Sequence, residues 1–216
     1  MNRTITVRGT GTVHLQPDRT VISLQLRSLD LDYETAMQAA SDQIAKLQAA
    51  LEGVGFAAEA LKTTAFHVTA EHEGRQDENG HYRNYFVGYA CSHALRLEFD
   101  FDTAQLSATL SAIAASVAEP ELEIQFTVRD QNAVNEALLK SAAENARARA
   151  EILTAAAGVR LGTLTAIDYS WGELNIVSPT EYRMEKRCMA MNAADMAITP
   201  DEITVSDSAT FVWELA

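Results

Sequence analysis

Two glycines near the start of the chain stand where a phosphate-binding loop would place them. Gly9 and Gly11 follow an apolar run, and in a dinucleotide-binding chain such glycines let the backbone approach a pyrophosphate at the N-terminus of the next helix. No helical pattern follows here. The segment alternates instead, and one face carries Ile5, Val7, Gly9, Gly11, Val13 and Leu15. This period of two predicts a strand, and glycines on its apolar face predict a closely packed covering helix.

The residues after this strand predict a turn. Pro17 presets its backbone angle and Asp18 is most simply a turn residue, so that Gln16-Pro17-Asp18-Arg19 leads into a second strand, about Thr20 to Ser28. We therefore expect the two strands to form a hairpin.

Histidine is the residue type that most readily suggests a metal site. The chain has five, at positions His14, His67, His72, His81 and His93. Three of them lie in or beside the charged segment "EHEGRQDENGHYR", whereas a zinc site needs three or four ligands that converge at about 2.0 to 2.3 Å. His67 and His72 are an odd number of residues apart and would point to opposite faces of a strand. We predict a solvated connection, with a metal or small-ligand site as the alternative.

Sulfur-containing residues suggest a second kind of site. The segment "RMEKRCMAMNAADM" carries Met184, Cys188, Met189, Met191 and Met196, and such soft ligands would favour Cu(I). No histidine or second cysteine reinforces the segment, and methionine is a common gap-filler at contact surfaces, so packing or an interface is the favoured interpretation. Cys91 lies on an alternating face with Tyr89, His93 and Leu95, which predicts a buried strand thiol. Whether Cys91 and Cys188 pair is left open.

No arrangement for nucleophilic catalysis is evident. The chain has no Gly-x-Ser-x-Gly elbow, and neither cysteine has a local histidine partner. Arg149 falls in the apolar half of its helix, where a buried guanidinium would require a carboxylate or several carbonyls. The hypothesis is an ion pair with Asp18, and the alternative is a guanidinium that reaches solvent at the helix edge. We assign no catalytic, cofactor-binding or metal-binding residue.

Periodicity predicts the elements that would position these residues. Three helices are expected. The first covers about 32–51 with Asp32 as its cap, and the second begins after Asp102, with Gln105 at capping-box spacing. The third covers about 131–157 and is ended by Gly158. Further strands are expected at about 61–70, 83–101, 121–128, 164–169 and 203–215. Several have one apolar and one polar face, which is typical of an antiparallel sheet covered on one side. The prediction is a two-layer α+β fold, order ββαββαβαββ, with one sheet face covered by helices.

Composition limits the classes of function. The chain has 216 residues, a net charge of −13 and a pI near 4.7, so it repels nucleic acid and anionic membranes. No apolar run is long enough to span a bilayer, and no leader peptide precedes the first strand. We expect no nucleic-acid partner and no membrane insertion.

Four stretches, in order along the chain, carry a family resemblance. They are "ITVRGTGTVHLQPD", "LKTTAF", "VGYACS" and "EALLKSAAENARARAEILTAAAGVRLGTL". Together they resemble the SIMPL-domain family, which includes periplasmic immunogenic proteins of bacteria, over about Ile5 to Leu215. The resemblance implies one α+β domain, here residues 1–216, with frequent export to the cell envelope and homo-oligomeric assembly. It implies no settled catalytic activity and no agreed catalytic residues, and we expect no cofactor.

These observations define the expected function. We expect a non-enzymatic, homo-oligomer-forming protein of the bacterial envelope, periplasmic if a leader was removed and otherwise cytoplasmic. The third helix has an alanine-rich arc that suits a second element, which also favours assembly. The alternatives are a metal- or small-ligand-binding protein or an enzyme that uses the histidine-rich hairpin, and an intracellular adaptor.

Overall fold

A computed structural model describes residues 3–76, 81–116, 118, 120–170, 172, 174–184 and 198–216. In these ranges the helices are α1 (Tyr33–Glu52), α2 (Thr103–Ala115) and α3 (Gln131–Ala156). The strands are β1 (Thr4–Leu15), β2 (Arg19–Asp30), β3 (Lys62–Gln76), β4 (Tyr82–Asp100), β5 (Glu121–Thr127), β6 (Leu161–Asp168), β7 (Tyr182–Met184) and β8 (Ile203–Leu215). This element order confirms the predicted α+β class and adds one short strand, β7.

The strands form two sheets. One has the order β1-β8-β6 and the other has the order β3-β4-β2-β5-β7. The chain correspondingly divides into two compact units. The first unit comprises Met1–Pro17, Thr127–Pro179 and Asp201–Ala216, and the second comprises Asp18–Phe126 and Thr180–Pro200. The assignment of the whole chain to one domain stays a prediction.

The predicted hairpin between the first two strands is wrong. β1 pairs with β8 along its full length, from Thr4 opposite Glu214 to Leu15 opposite Ile203, whereas β2 pairs with β4. A tight hairpin turn needs residues that adopt positive φ, and the segment from Gln16 to Asp18 contains no glycine or asparagine. These residues therefore carry the chain from one sheet to the other.

Gly9 and Gly11 allow α3 to lie directly against β1, as the sequence predicts. A Cβ atom at Gly9 would lie 2.7 Å from the Cβ of Ala146, and one at Gly11 would lie 2.9 Å from the backbone nitrogen of Ala142. Both hypothetical atoms would also overlap carbonyl oxygens of α3. One of the buried clusters of this unit forms where the buried alanines of α3 meet Val7, Phe211 and Trp213. The glycines thus serve packing, and no helix follows them that could bind a phosphate.

The second unit packs α1 and α2 against one face of the five-stranded sheet. Its core contains alternate residues of the central strands, with Ile22, Leu24 and Leu26 from β2 and Leu95 and Leu97 from β4. Both predicted helix caps are confirmed. The carboxylate of Asp32 accepts from the backbone N–H of Thr35 at 2.9 Å, and that of Asp102 accepts from the N–H of Gln105 at 2.7 Å. These interactions fix the points where the chain leaves the sheet.

The connection between the third and fourth strands is more regular than the sequence predicts. Residues 71–76 and 82–83 lack apolar alternation, so the sequence predicts a loop, but β3 and β4 continue their pairing to Gln76 opposite Tyr82. Backbone hydrogen bonds to one partner strand are enough to hold polar residues in a ladder. Residues 77–80 lie outside the described part of the chain.

Candidate functional site

The paired ends of β3 and β4 extend beyond the strand that flanks them. β2 pairs with β4 only as far as Asp30 opposite Tyr89, while β3 follows β4 to its first residue. We call residues 71–76 and 82–88 the arm. Across the arm β4 has β3 as its partner on one side, and β3 is the outermost strand in the order of its sheet. An outermost strand can pair with a further strand through its backbone.

Gly88 marks the point where the arm begins. Its φ is 148°, and a Cβ atom there would lie 2.9 Å from the carbonyl carbon of Asp30. The β3–β4 register also shifts here, between Glu71 and His72. Because a bulge of this kind bends a strand, glycine is the residue that lets β4 pass the end of β2.

A continuous row of aromatic rings runs from α1 onto the arm. The ring centroids of Tyr33 and Tyr89 are 5.5 Å apart, those of Tyr89 and Phe86 are 5.2 Å apart, and those of Phe86 and His72 are 5.6 Å apart. We call these four residues the aromatic row. All three contacts are edge-to-face, the favoured geometry for aromatic pairs. The row is nevertheless open to solvent, with 48% of Tyr33 and 43% of Phe86 exposed.

Two further tyrosines enlarge this apolar surface. Tyr82 is 79% exposed and Tyr85 is 45% exposed, and Leu31 is also exposed next to the start of α1. The described arm residues include two glutamates, Glu71 and Glu73, and two arginines, Arg75 and Arg83, so their formal charges cancel. The described arm residues therefore combine exposed aromatic side chains with zero net formal charge, on a chain whose net charge is −13.

The histidines do not come together as a metal site. His67 lies opposite Ser92 and His72 lies opposite Phe86, and in the described ranges no three His, Cys, Asp or Glu side chains approach closely enough to hold a metal ion. His14 is on β1, where its Nδ1 lies 3.1 Å from the Thr204 hydroxyl. His93 is buried, with its Nε2 2.8 Å from the hydroxyl of Thr63. Burial lowers the pKa of His93, which keeps its ring neutral at pH 7.

A comparison of the sequence with models of known protein families tests the resemblance that the sequence suggests. The family model named SIMPL, described as a protein of unknown function (DUF541), matches residues 5–213. This chain belongs to the SIMPL family. A search of curated proteins gave no match. The matched range reaches into both compact units and includes every described helix and all or nearly all of every described strand.

In this SIMPL protein, Asn145 and Arg149 have a role that the sequence did not reveal. The backbone N–H of Thr10 donates to the Asn145 side chain at 3.2 Å, and Arg149 Nη1 donates to the carbonyl of Arg8 at 3.3 Å. β1 is an outer strand of its sheet, so these two side chains of α3 satisfy backbone groups at its free edge. Arg149 is exposed, in agreement with a guanidinium at the helix edge, and its ion pair with Asp18 stays a prediction.

Of the two cysteines of this SIMPL chain, one can be described. Cys91 is 1% exposed, which confirms the predicted buried thiol, and its Sγ lies 3.7 Å from the sulfur of Met37. Cys188 and the methionines at 189, 191 and 196 lie outside the described residues, so both copper binding and the disulfide stay untested. Of the described helices, none is both long enough and apolar enough to cross a bilayer.

The aromatic row was missed in the sequence, although part of its signal was present. Tyr82, Tyr85, Phe86 and Tyr89 lie close together at the start of an expected strand. In a regular strand, residues that are an odd number of positions apart face opposite sides of the sheet, so Phe86 and Tyr89 would be separated. The register shift at Gly88 brings Phe86 and Tyr89, three residues apart, onto the same side. A glycine in the middle of an aromatic strand segment is the signal that could have indicated such a shift.

Proposed function

We infer that this SIMPL protein is a non-enzymatic homo-oligomer of the bacterial cell envelope and that its subunits associate through the arm. The observation that supports assembly is the combination of exposed aromatic side chains with an open strand edge on the same element. Contiguous exposed apolar patches on soluble proteins usually mark interaction sites. Tyrosine and phenylalanine are also the residue types that contribute most at the centre of an interface.

A second copy of the chain is the occupant that fits the arm best. Two outer strands of identical sequence can pair antiparallel about a two-fold axis, which extends both sheets. Each chain carries a net charge of −13, so subunits repel one another over most of their surfaces. Because the charges of the described arm residues cancel, contact between arms avoids much of this repulsion.

The arm is a different surface from the one that the sequence suggested for assembly, which was on α3. The alanine-rich arc of α3 was expected to accept a second element from outside. In the structure Ala142, Ala146 and Ala150 are buried, and the first two lie beneath the glycines of β1. These alanines therefore serve close packing inside the chain. The exposed aromatic residues of the arm are the better candidates for contact between subunits.

The envelope location follows from the resemblance to exported SIMPL proteins. The genomic sequence upstream of this chain tests it, because an open reading frame that continues into a leader peptide would support export. Fractionation of cells that express the complete frame gives the direct measurement. Protein found wholly in the cytoplasmic fraction would overturn the envelope assignment and leave assembly through the arm unaffected.

Light scattering after size exclusion tests assembly. We expect the wild-type protein to have a multiple of the 23.6 kDa monomer mass at micromolar concentration. Phe86→Ser combined with Tyr85→Ser should weaken association by about tenfold or more, because buried aromatic anchors typically contribute about 2 kcal/mol or more.

Ile152→Ser is the matched control for the arm variant. Ile152 is a large apolar side chain of α3, 68% exposed and outside the arm, so its substitution should leave the mass unchanged. Near-UV and far-UV circular dichroism would verify that each variant is folded. A wild-type monomer at all concentrations, or equal masses for the wild type and the folded arm variant, would overturn the proposed role of the arm.

A further inference from the structure

The five-stranded sheet carries a pocket on the face opposite its helices. The pocket has a volume of about 580 Å³ and is formed by residues from all five strands of this sheet. Ser23, Gln25, Ala94 and Arg96 line it, and they alternate along β2 and β4 with leucines of the hydrophobic core. The pocket lies wholly within the second unit and is separate from the aromatic row.

Opposite charges stand on the two sides of this pocket. Arg96 on β4 is on one side, where it is paired with Glu98. Glu121 and Glu123 on β5 are on the other side, and Glu123 also meets Arg183 of β7 at 3.5 Å. In the strand order β2 lies between β4 and β5, so the two sides are about 10 Å apart. Arg183 balances Glu123, so the pocket has Arg96 on one side and Glu121 as the unbalanced charge on the other.

Several polar groups in the pocket are available to a ligand. In the described part of the chain, no hydrogen bond or ion pair engages the side chains of Ser23, Gln25, Thr64 or Glu121, all of which line the pocket. They offer both donors and acceptors. Ala94, with its small side chain, leaves room between them.

The lining excludes several ligand classes. Among the described residues of the lining there is no aromatic ring, so they offer no platform on which a sugar or nucleobase could stack. The net charge of −13 on the chain disfavours phosphate anions. A small molecule with a separated ammonium and carboxylate fits the opposite charges of Arg96 and Glu121. A dipeptide spans at most about 7 Å and fits between the two sides.

We propose that this pocket binds short peptides as zwitterions, with the ligand carboxylate at Arg96 and its ammonium group at Glu121. Ser23 and Gln25 then lie beneath the ligand and hydrogen-bond to its polar groups. This site is independent of assembly through the arm, and binding should be the same in the arm variant.

Ligand-detected NMR with L-alanyl-L-alanine tests the proposal and also works for large assemblies. We expect saturable binding with a Kd of about 1 to 10 mM, in keeping with the small number of atoms in the ligand. N-acetyl-dialanine amide has a similar shape and lacks both end charges, so we expect it to show no saturable binding. Glu121→Gln and Arg96→Gln should each weaken dipeptide binding about fivefold, the upper range for an exposed ion pair.

Glu151→Gln is the matched control, since Glu151 is an exposed glutamate on α3, distant in the chain from the pocket strands. It should bind the dipeptide like the wild type. Absence of saturable dipeptide binding to the wild type would overturn the proposal. Equal binding of the neutral analogue, or equal affinities for the wild type and the folded Glu121→Gln and Arg96→Gln variants, would overturn it as well.

Discussion

His93 is a buried imidazole on β4. The residue is 9% exposed, its ring meets that of Phe66 at 5.1 Å, and within the described chain its Nδ1 has no hydrogen-bond partner. Its remaining polar atom, Nε2, is held by Thr63. In this site one of the two ring nitrogens has a hydrogen-bond partner. A charged ring would lose its hydration on burial, so the site favours the neutral ring.

The pH dependence of stability should report this histidine. Burial lowers the pKa of native His93, while the unfolded chain titrates near the ordinary value of about 6.5. As the pH falls below that value, the unfolded state takes up a proton that the native state does not, so the free energy of unfolding decreases until the native pKa is reached. Above about pH 7 this contribution is constant.

Urea unfolding at about pH 7.5 and about pH 5 measures the effect. We expect the wild type to lose more stability between the two conditions than His93→Gln, whose amide can still meet Thr63 and has no proton to gain. The other histidines titrate in both proteins, so the comparison cancels them. Equal losses in the two proteins would contradict this account.

At the scale of elements, helix ends and sheet partners differ in how far they can be predicted. The bounds of α3 are predicted to within one residue, because apolar spacing and Gly158, with φ of 70°, act locally. The pairing of β1 with β8 joins opposite ends of the chain, and no short window of sequence specifies it. Residues 71–76 of the arm were predicted as part of a connection for the same reason, since they take their conformation from a partner strand.

The edge of β1 offers a test of one helix acting on one strand. Asn145→Leu together with Arg149→Met removes both side-chain hydrogen bonds to the strand at Arg8 and Thr10. We expect a loss of about 1 to 3 kcal/mol in the free energy of unfolding and a rise in aggregation, because an uncovered edge can pair with other chains. Urea unfolding and static light scattering measure these two effects.

Arg147→Met provides the comparison for this edge variant. Arg147 is an exposed arginine of the same helix, paired with Glu151 at 3.0 Å, and such surface pairs contribute little. Its stability should stay within about 0.5 kcal/mol of the wild type. If the double variant and Arg147→Met have the same free energy of unfolding and the same tendency to aggregate, the edge contacts have no protective role.

At the scale of the whole molecule, net charge determines how assembly responds to salt. Each chain carries −13, and this repulsion opposes association until ions screen it, with a Debye length of about 10 Å at 0.1 M. We therefore expect the assembled fraction to persist or increase between about 20 mM and about 0.5 M salt. Light scattering after size exclusion at both concentrations measures it, and dissociation at high salt would contradict this electrostatic account.

The pairing of β1 with β8 also has a consequence for synthesis on the ribosome. β8 is the central strand of the three-stranded sheet, so that sheet cannot form until the last segment has been translated. β1 must wait for roughly 190 further residues, or about 10 to 40 s at ordinary elongation rates. Most of the second unit, Asp18–Phe126, is a continuous segment and emerges earlier. Nascent chains of this protein therefore carry β1 without its partner strand until β8 has been translated.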